Sequence, residues 1–260
     1  MGHIHLGVLP QTKKWREVVS LLEDRADDET VFAASAIAAE RDLAAAVDNS
    51  VFVEAVRLLL MIPFAARSED FGAALRDLDL QVASHPELLD IIAAAGDRLD
   101  AVARTSRTRT DFGELAGRAL IATLGEQIGG ALPGLFDTTA EDVRTEARRL
   151  SRPQGIGGLT RAFFGRLLSD TLSSWLDRTL ASQTGPGRRM SDAGARGAFD
   201  LALGQYTHEA TRIIREFAPG WYGKRLHESG RIDSHQAAAF GAVAMKKITE
   251  ELRRKRNADE

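Results

Sequence analysis

The chain has no cysteine. Disulfides, thiolate metal sites and cysteine nucleophiles are therefore excluded, and a metal would have to be held by His, Asp or Glu. Aromatic residues are sparse, at 6% of the 260 positions. Lysine is confined to Lys13, Lys14, Lys224, Lys246, Lys247 and Lys255, so arginine alone supplies positive charge through the middle of the chain. No apolar run reaches the roughly 18 residues expected of a membrane-spanning helix; the segment Asp111 to Ala131 is interrupted by Arg118 and Glu126. The opening Met1-Gly2-His3-Ile4-His5-Leu6 lacks the cationic head and apolar run of a secretory signal, and Leu6 does not fit a myristoylation motif. The expected location is cytoplasmic.

Motifs for covalent and cofactor chemistry are missing as well. No serine sits in a Gly-x-Ser-x-Gly elbow, and no Ser, His and Asp set can be placed together. Gly155-Ile156-Gly157-Gly158-Leu159-Thr160 has neither the Gly-Lys-Ser/Thr of a Walker A loop nor the final glycine of a dinucleotide fingerprint, and reads as an interhelical loop. No catalytic residue and no cofactor are expected. His3 and His5, on one face of an extended segment, and the loop His227 to His235, with two imidazoles and two carboxylates, are weak pointers to a metal-dependent hydrolase. Asp233 or Ser234 is better explained as a helix N-cap and Gly230 as a helix stop, so no metal ligand is assigned.

What is present points to helices. Hydrophobic residues make up 44% of the chain and charged residues 27%, and much of the apolar content is alanine, which favours helix over sheet. The expected fold is an all-α, multi-helix bundle of about nine or ten helices with a short extended N-terminal arm. In that arm, residues 1–10, Ile4, Leu6 and Val8 alternate onto one side. Trp15, Val18, Val19 and Leu22 mark the first helical stripe, Ser84 with Pro86 and Glu87 reads as a helix start, and Phe163 to Leu180 form a wide apolar face. Asp111 opens a helix in which Gly113, Gly117, Gly125 and Gly129 fall close to one face, with Ile121 filling the missing position, a pattern that admits close approach of another helix. A helix from Ser191 through Phe217 is expected to end at Pro219-Gly220-Trp221-Tyr222-Gly223.

Charge is unevenly distributed. From Ser20 to Asp100 acids exceed bases by about eleven, whereas from Ala101 to Met190 bases exceed acids by about four. The sign changes at the polar stretch Arg104 to Thr110, which suggests an acidic helical half, 11–103, and a mildly basic half, 111–260, or one continuous domain. These features favour a non-catalytic scaffold or adaptor subunit acting through contacts with another protein or a second copy of itself. Its candidate partner-binding residues are Ile4, Leu6 and Val8 of the arm, with Trp221, Tyr222, Lys224 and Arg225 in a Pro/Gly-framed turn. The alternative is a nucleic-acid-binding helical protein using Arg144, Arg148, Arg149, Arg152, Arg161 and Arg166. Against it stand a net charge of −3 and the lack of a legible DNA-binding motif.

Overall fold

The computed structural model describes residues 12–106, 110–133, 138–180, 183–185 and 187–259. Among them the fold is all-α: α1 (Lys13–Glu23), α2 (Asp28–Ala46), α3 (Ser50–Ala65), α4 (Phe71–Arg76), α5 (Leu88–Ser106), α6 (Asp111–Gly129), α7 (Ala140–Leu150), α8 (Pro153–Leu180), α9 (Ala193–Ala210), α10 (Arg212–Ser229) and α11 (Ser234–Asp259). The arm expected at residues 1–10 lies outside the described residues.

Helix starts follow side-chain chemistry. Thr12, Asp27, Asn49, Asp70, Thr110 and Asp192 each accept a hydrogen bond from a first-turn N–H of α1, α2, α3, α4, α6 and α9. Thr139 and Asp142 form a reciprocal capping box at α7. Each cap satisfies a donor that the helix itself leaves without a partner.

Two helices organise the interior. α3 is buried along almost its whole length, from Val51 and Phe52 to Ile62 and Ala65. It is enclosed by α5, α6, α7 and α11. α8 packs most extensively on α10, and also on α6, α9 and α7. A file of aromatic rings links these layers. Phe112 of α6 meets Phe52 of α3, Phe52 meets Phe164 of α8, and Phe164 meets Phe240 of α11. Phe240 then stacks on Phe217 and leans on Trp221, both from α10.

Three local expectations are corrected. Ser84 does not open a helix: α5 begins at Leu88, where the Glu87 N–H donates to Asp90 at 2.9 Å. Pro86 bars the preceding residue from helical backbone, so the start moves past it. Gly155 to Thr160 is helix, within the first turns of α8. The stretch from Ser191 to Phe217 is two helices broken at Thr211, whose buried hydroxyl donates to the carbonyls of Thr207 and His208. Such back-bonding bends helices. Beyond the break, Pro219 to Gly223 continue α10 and do not form a turn.

The packing of α10 on α8 explains why. Pro219 lacks an N–H, so the Arg215 carbonyl four residues earlier loses its helical donor. That carbonyl faces Gly157 of α8, where a Cβ would stand 2.7 Å from the oxygen. Glycine makes room for the exposed carbonyl, and burial of Ile214, Ala218 and Tyr222 holds the helix through the proline. Pro63 falls in the last turn of α3, where it withholds the helical donor from the Leu59 carbonyl four residues earlier.

Candidate functional site

α5 and α6 are antiparallel neighbours with interlocking side chains. Leu88 Cδ2 lies 3.1 Å from the Cβ position of Gly129, Ile92 Cδ1 lies 3.6 Å from that of Gly125, and Leu99 Cδ1 lies 3.4 Å from that of Gly117. The glycine face of α6 is thus the seat for the large residues of α5. Gly113, at its N-terminal end, instead clears Asn49 and Val51 at the start of α3. The same register sets Gly96 of α5 opposite Ile121 of α6, and at Gly96 the size relation reverses.

Above this seam the two helices leave an open groove of about 910 Å³. Its walls carry Ala93, Gly96 and Ala103 from α5 with Gly117, Ile121 and Ala122 from α6. No atom lies within 4 Å of a Cβ placed on Gly96. Leu89 belongs to the same stripe as Ala93, Gly96, Asp100 and Ala103 by helical spacing. It is 72% exposed.

The rim is acidic. Asp97, Asp100, Asp111 and Glu114 line it, against the single cation Arg118 among the described residues. Arg118 is engaged by Glu114 at 3.2 Å, and Asp111 by Arg178 at 3.3 Å. Asp97 and Asp100 are exposed and have no ion pair among the described residues. Between them in sequence, Arg98 turns inward to Glu54 and Asp79. α5 therefore presents two free carboxylates beside a small-residue floor.

The residues singled out from the sequence are distributed differently. Ile4, Leu6 and Val8 lie outside the described residues. Tyr222 is 2% exposed, and its hydroxyl donates to the Leu60 carbonyl of α3. Burial pushes that hydroxyl's pKa up, only partly countered by the charge of Arg67. It is a core residue that ties α10 to α3. Trp221 packs on Phe240, with the Arg225 guanidinium 5.7 Å from its ring centre. Lys224 and Arg225 both face Glu228. Of this group, Trp221 is partly buried against the core, Arg225 is partly buried, Lys224 is exposed, and Tyr222 lies within the core.

The arginines of the nucleic-acid reading are largely engaged. Arg144 pairs with Glu141 and also reaches the Ser68 carbonyl, Arg149 pairs with Glu146, and Arg166 pairs with Glu126. Arg161 donates to the His208 carbonyl in the last turn of α9, a position where a helix favours a cation. Arg148 and Arg152 are exposed without ion pairs among the described residues.

In the 227–235 loop, Gly230 adopts a left-handed conformation (φ 67°) that ends α10, and Asp233 accepts from the Gln236 N–H at the start of α11. Glu228 is held by Lys224 and Arg225. No group of three or more His, Asp or Glu side chains suited to a metal ion occurs among the described residues. No helix among them is long and apolar enough to cross a membrane.

Gly96, Asp97 and Asp100 carry no motif or spacing that marks them in the sequence. The glycine spacing of α6 signalled a close neighbour, but not which helix it was. Once α5 is paired with α6, the stripe Leu89, Ala93, Gly96, Asp100 and Ala103 becomes the helix's unpartnered edge. Comparison of the chain with protein-family models, with curated proteins and with solved structures finds no match.

Proposed function

We propose that this protein is a non-catalytic helical adaptor that holds a basic amphipathic helix of a partner protein in the groove between α5 and α6. The observation that carries the reading is a floor of Ala93, Gly96, Gly117 and Ala122 beside Asp97 and Asp100, which have no ion pair among the described residues. Small residues let a third helix approach closely, as they already let α5 approach α6. The carboxylates select the charge of what approaches, because complementary rims steer encounter and suppress like-charged partners. From Ala93 to Ala103 the groove runs about 15 Å, roughly three helical turns. Leu89, exposed at its end, extends the apolar stripe.

The occupant is therefore a helix with apolar residues at i, i+3, i+4 and i+7 and Lys or Arg beside that stripe. Of the six arginines of the nucleic-acid alternative, Arg148 and Arg152 alone are without an ion pair or carbonyl partner among the described residues, since Arg144, Arg149 and Arg166 hold carboxylates and Arg161 holds a helix end.

The test uses the whole chain and a labelled peptide of about 14 residues, roughly four turns, with a Leu/Ala stripe flanked by Lys and Arg. A second peptide replaces those cations by Glu. The basic peptide is expected to bind with an affinity that falls as salt rises, and the acidic one is expected not to bind. Gly96→Leu, which fills the groove, should abolish binding without loss of helicity, because the site has free space and leucine is the better helix former. Asp97→Lys with Asp100→Lys should weaken binding at least about tenfold. Equal binding of both peptides, or binding indifferent to Gly96→Leu, would overturn the proposal.

A further inference from the structure

A second cavity, of about 580 Å³, opens where α8, α9, α10 and α11 meet, and it shares no lining residue with the α5–α6 groove. Three carboxylates line it, Glu209, Glu216 and Glu251. Lys255 holds Glu209, and Arg254 holds Glu251 at 2.7 Å, whereas Glu216 meets Arg212 only at 3.9 Å. The remaining cation of the lining, Arg161 of α8, has no ion pair among the described residues. Its Nε and Nη2 both donate to the His208 carbonyl, at 3.4 and 3.0 Å, which fixes the guanidinium. Nη1 has no protein partner among the described residues, and the side chain is only partly buried.

Two further guanidiniums belong to this cluster. Arg212 lines the same cavity with its side chain 78% exposed. Arg215, exposed and without an ion pair among the described residues, runs its stem against α8. Its Cγ lies 3.5 Å from the Cβ position of Gly157, one turn before Arg161. Like charges gathered in this way repel. Burial, and then the charges of Arg215 and Arg212, push the Arg161 pKa down, with Glu209 offsetting them in part. Burial and the charge of Arg161 pull His208 down as well. With Arg215 counted, positive side chains exceed negative ones here by two among the described residues.

We propose that Arg161, Arg212 and Arg215 bind the phosphate group of a small phosphate ester whose polar body occupies the cavity. Three guanidiniums from two helices direct N–H donors at tetrahedral oxygens, the recognition for which arginine is suited. The excess of two positive charges matches a phosphate monoester, which carries about −1.5 to −2 near neutral pH. The volume falls within the roughly 300–1,000 Å³ usual for small-molecule sites. The carboxylates select what is attached to the phosphate: Glu216 and Glu251 accept hydrogen bonds from hydroxyl groups and repel a second phosphate. A nucleic-acid backbone, with a phosphate at every step, therefore fits this cavity worse than a single ester.

This proposal does not rest on the α5–α6 groove, and its test is independent of the peptide titration. The whole protein is titrated calorimetrically at low ionic strength with glucose 6-phosphate, inorganic phosphate, glucose and oligothymidylate. Glucose 6-phosphate is expected to saturate one site with an affinity that falls as salt rises, inorganic phosphate to compete for that site, and glucose not to bind. Arg212→Gln combined with Arg215→Gln should weaken glucose 6-phosphate at least about tenfold. Both residues are exposed and stand in the first turn of α10, where a helix disfavours cations. Without ligand the double variant should therefore melt no lower than the native chain, whereas a purely structural role for the two arginines would lower its Tm. Arg161→Gln should abolish binding, and the double variant carries the test alone if Arg161→Gln does not fold. Absence of saturable binding by either phosphate compound, affinity unchanged in the double variant, or a lower Tm of the ligand-free double variant would each overturn the proposal. Tighter binding of oligothymidylate than of glucose 6-phosphate would overturn it in favour of a nucleic-acid surface.

Discussion

Glu54 sits in the middle of α3 at 3% exposure, where a lone charge would be untenable. It is held by Arg57 at 2.7 Å and by Arg98 of α5 at 2.7 Å. Arg57 also donates to the Leu78 carbonyl, and Arg98 reaches Asp79, a non-glycine residue in left-handed backbone (φ 65°). The network therefore fixes the turn between α4 and α5 as well as the helices. Burial pushes the Glu54 pKa up, but the hydrogen bonds and charges of Arg57 and Arg98 outweigh it, and the carboxyl titrates below its ordinary value. Its stabilisation is thus complete above the ordinary carboxylate pKa and is lost as pH falls through the lower folded value. Glu54→Gln should cost about 3 to 5 kcal/mol at neutral pH, as expected when one partner of a buried ion pair is removed. Denaturant unfolding at pH 7 and again near pH 3 checks this, since the difference between variant and native chain should shrink in acid. Asp170 of α8 behaves in the opposite sense. Burial raises its pKa, Arg166 and Arg118 only partly offset that, and it has no hydrogen-bond partner among the described residues. Its ionised form opposes folding, a cost that is absent below the ordinary carboxylate pKa and grows as pH rises through the raised one. Asp170→Asn should therefore raise Tm by up to a few degrees at pH 7 and leave it unchanged in strong acid, as thermal melts at the two pH values would show.

At the scale of elements, the glycines of α8 separate helix propensity from packing. Gly157 faces the Arg215 carbonyl freed by Pro219, with a would-be Cβ at 2.7 Å, whereas Gly158 has nothing within 4 Å. Gly157→Ala should destabilise by about 1 to 3 kcal/mol through forced separation of α8 and α10. Gly158→Ala should stabilise by up to about 1 kcal/mol through helix propensity. Opposite signs from adjacent, chemically identical substitutions, read from urea midpoints, would confirm that Gly157 is there for the neighbouring helix; equal effects would count against it. The same pair shows what could be read from sequence. The all-α class, the stripe Trp15, Val18 and Leu22, the Asp233 cap and the Gly230 stop all follow from local chemistry and periodicity. The cluster Gly155-Ile156-Gly157-Gly158 and the segment Pro219 to Gly223 carry equally strong local breaking signals, yet both are helix, because their cause lies across the α8–α10 interface. The groove was half legible for a similar reason. The α6 glycines announced a close partner, but Gly96, Asp97 and Asp100 acquire meaning only once α5 is known to be that partner.

At the scale of the whole molecule, the opposite charges of the two halves are partly spent within the chain. Asp28 of α2 pairs with Arg189, and Glu40 of α2 pairs with Arg253 of α11. Arg25 donates to the Gly187 carbonyl, and Arg67 to Ser151. A largely exposed pair such as Glu40–Arg253 contributes little stability, about 0 to 1 kcal/mol, whereas the Arg189 of the other pair is buried; both tie the acidic stretch to residues from beyond the charge crossover. What joins the halves energetically is apolar. α3, drawn from the acidic stretch, is enclosed by α6, α7 and α11 from beyond the charge crossover, and the aromatic file Phe112, Phe52, Phe164 and Phe240 runs through both. Neither half can keep its core covered without the other, so unfolding should be a single cooperative transition. The tryptophans report on different regions: Trp15 and Trp175 touch one another at the α1–α8 contact, and Trp221 lies on Phe240. Thermal curves from tryptophan fluorescence and from far-ultraviolet circular dichroism should therefore superimpose. Leu58→Ala, in the fully buried face of α3, should cost about 2 to 5 kcal/mol and move both curves down together. A fluorescence midpoint that stays in place while the dichroism midpoint falls would show instead that the acidic and basic stretches unfold separately.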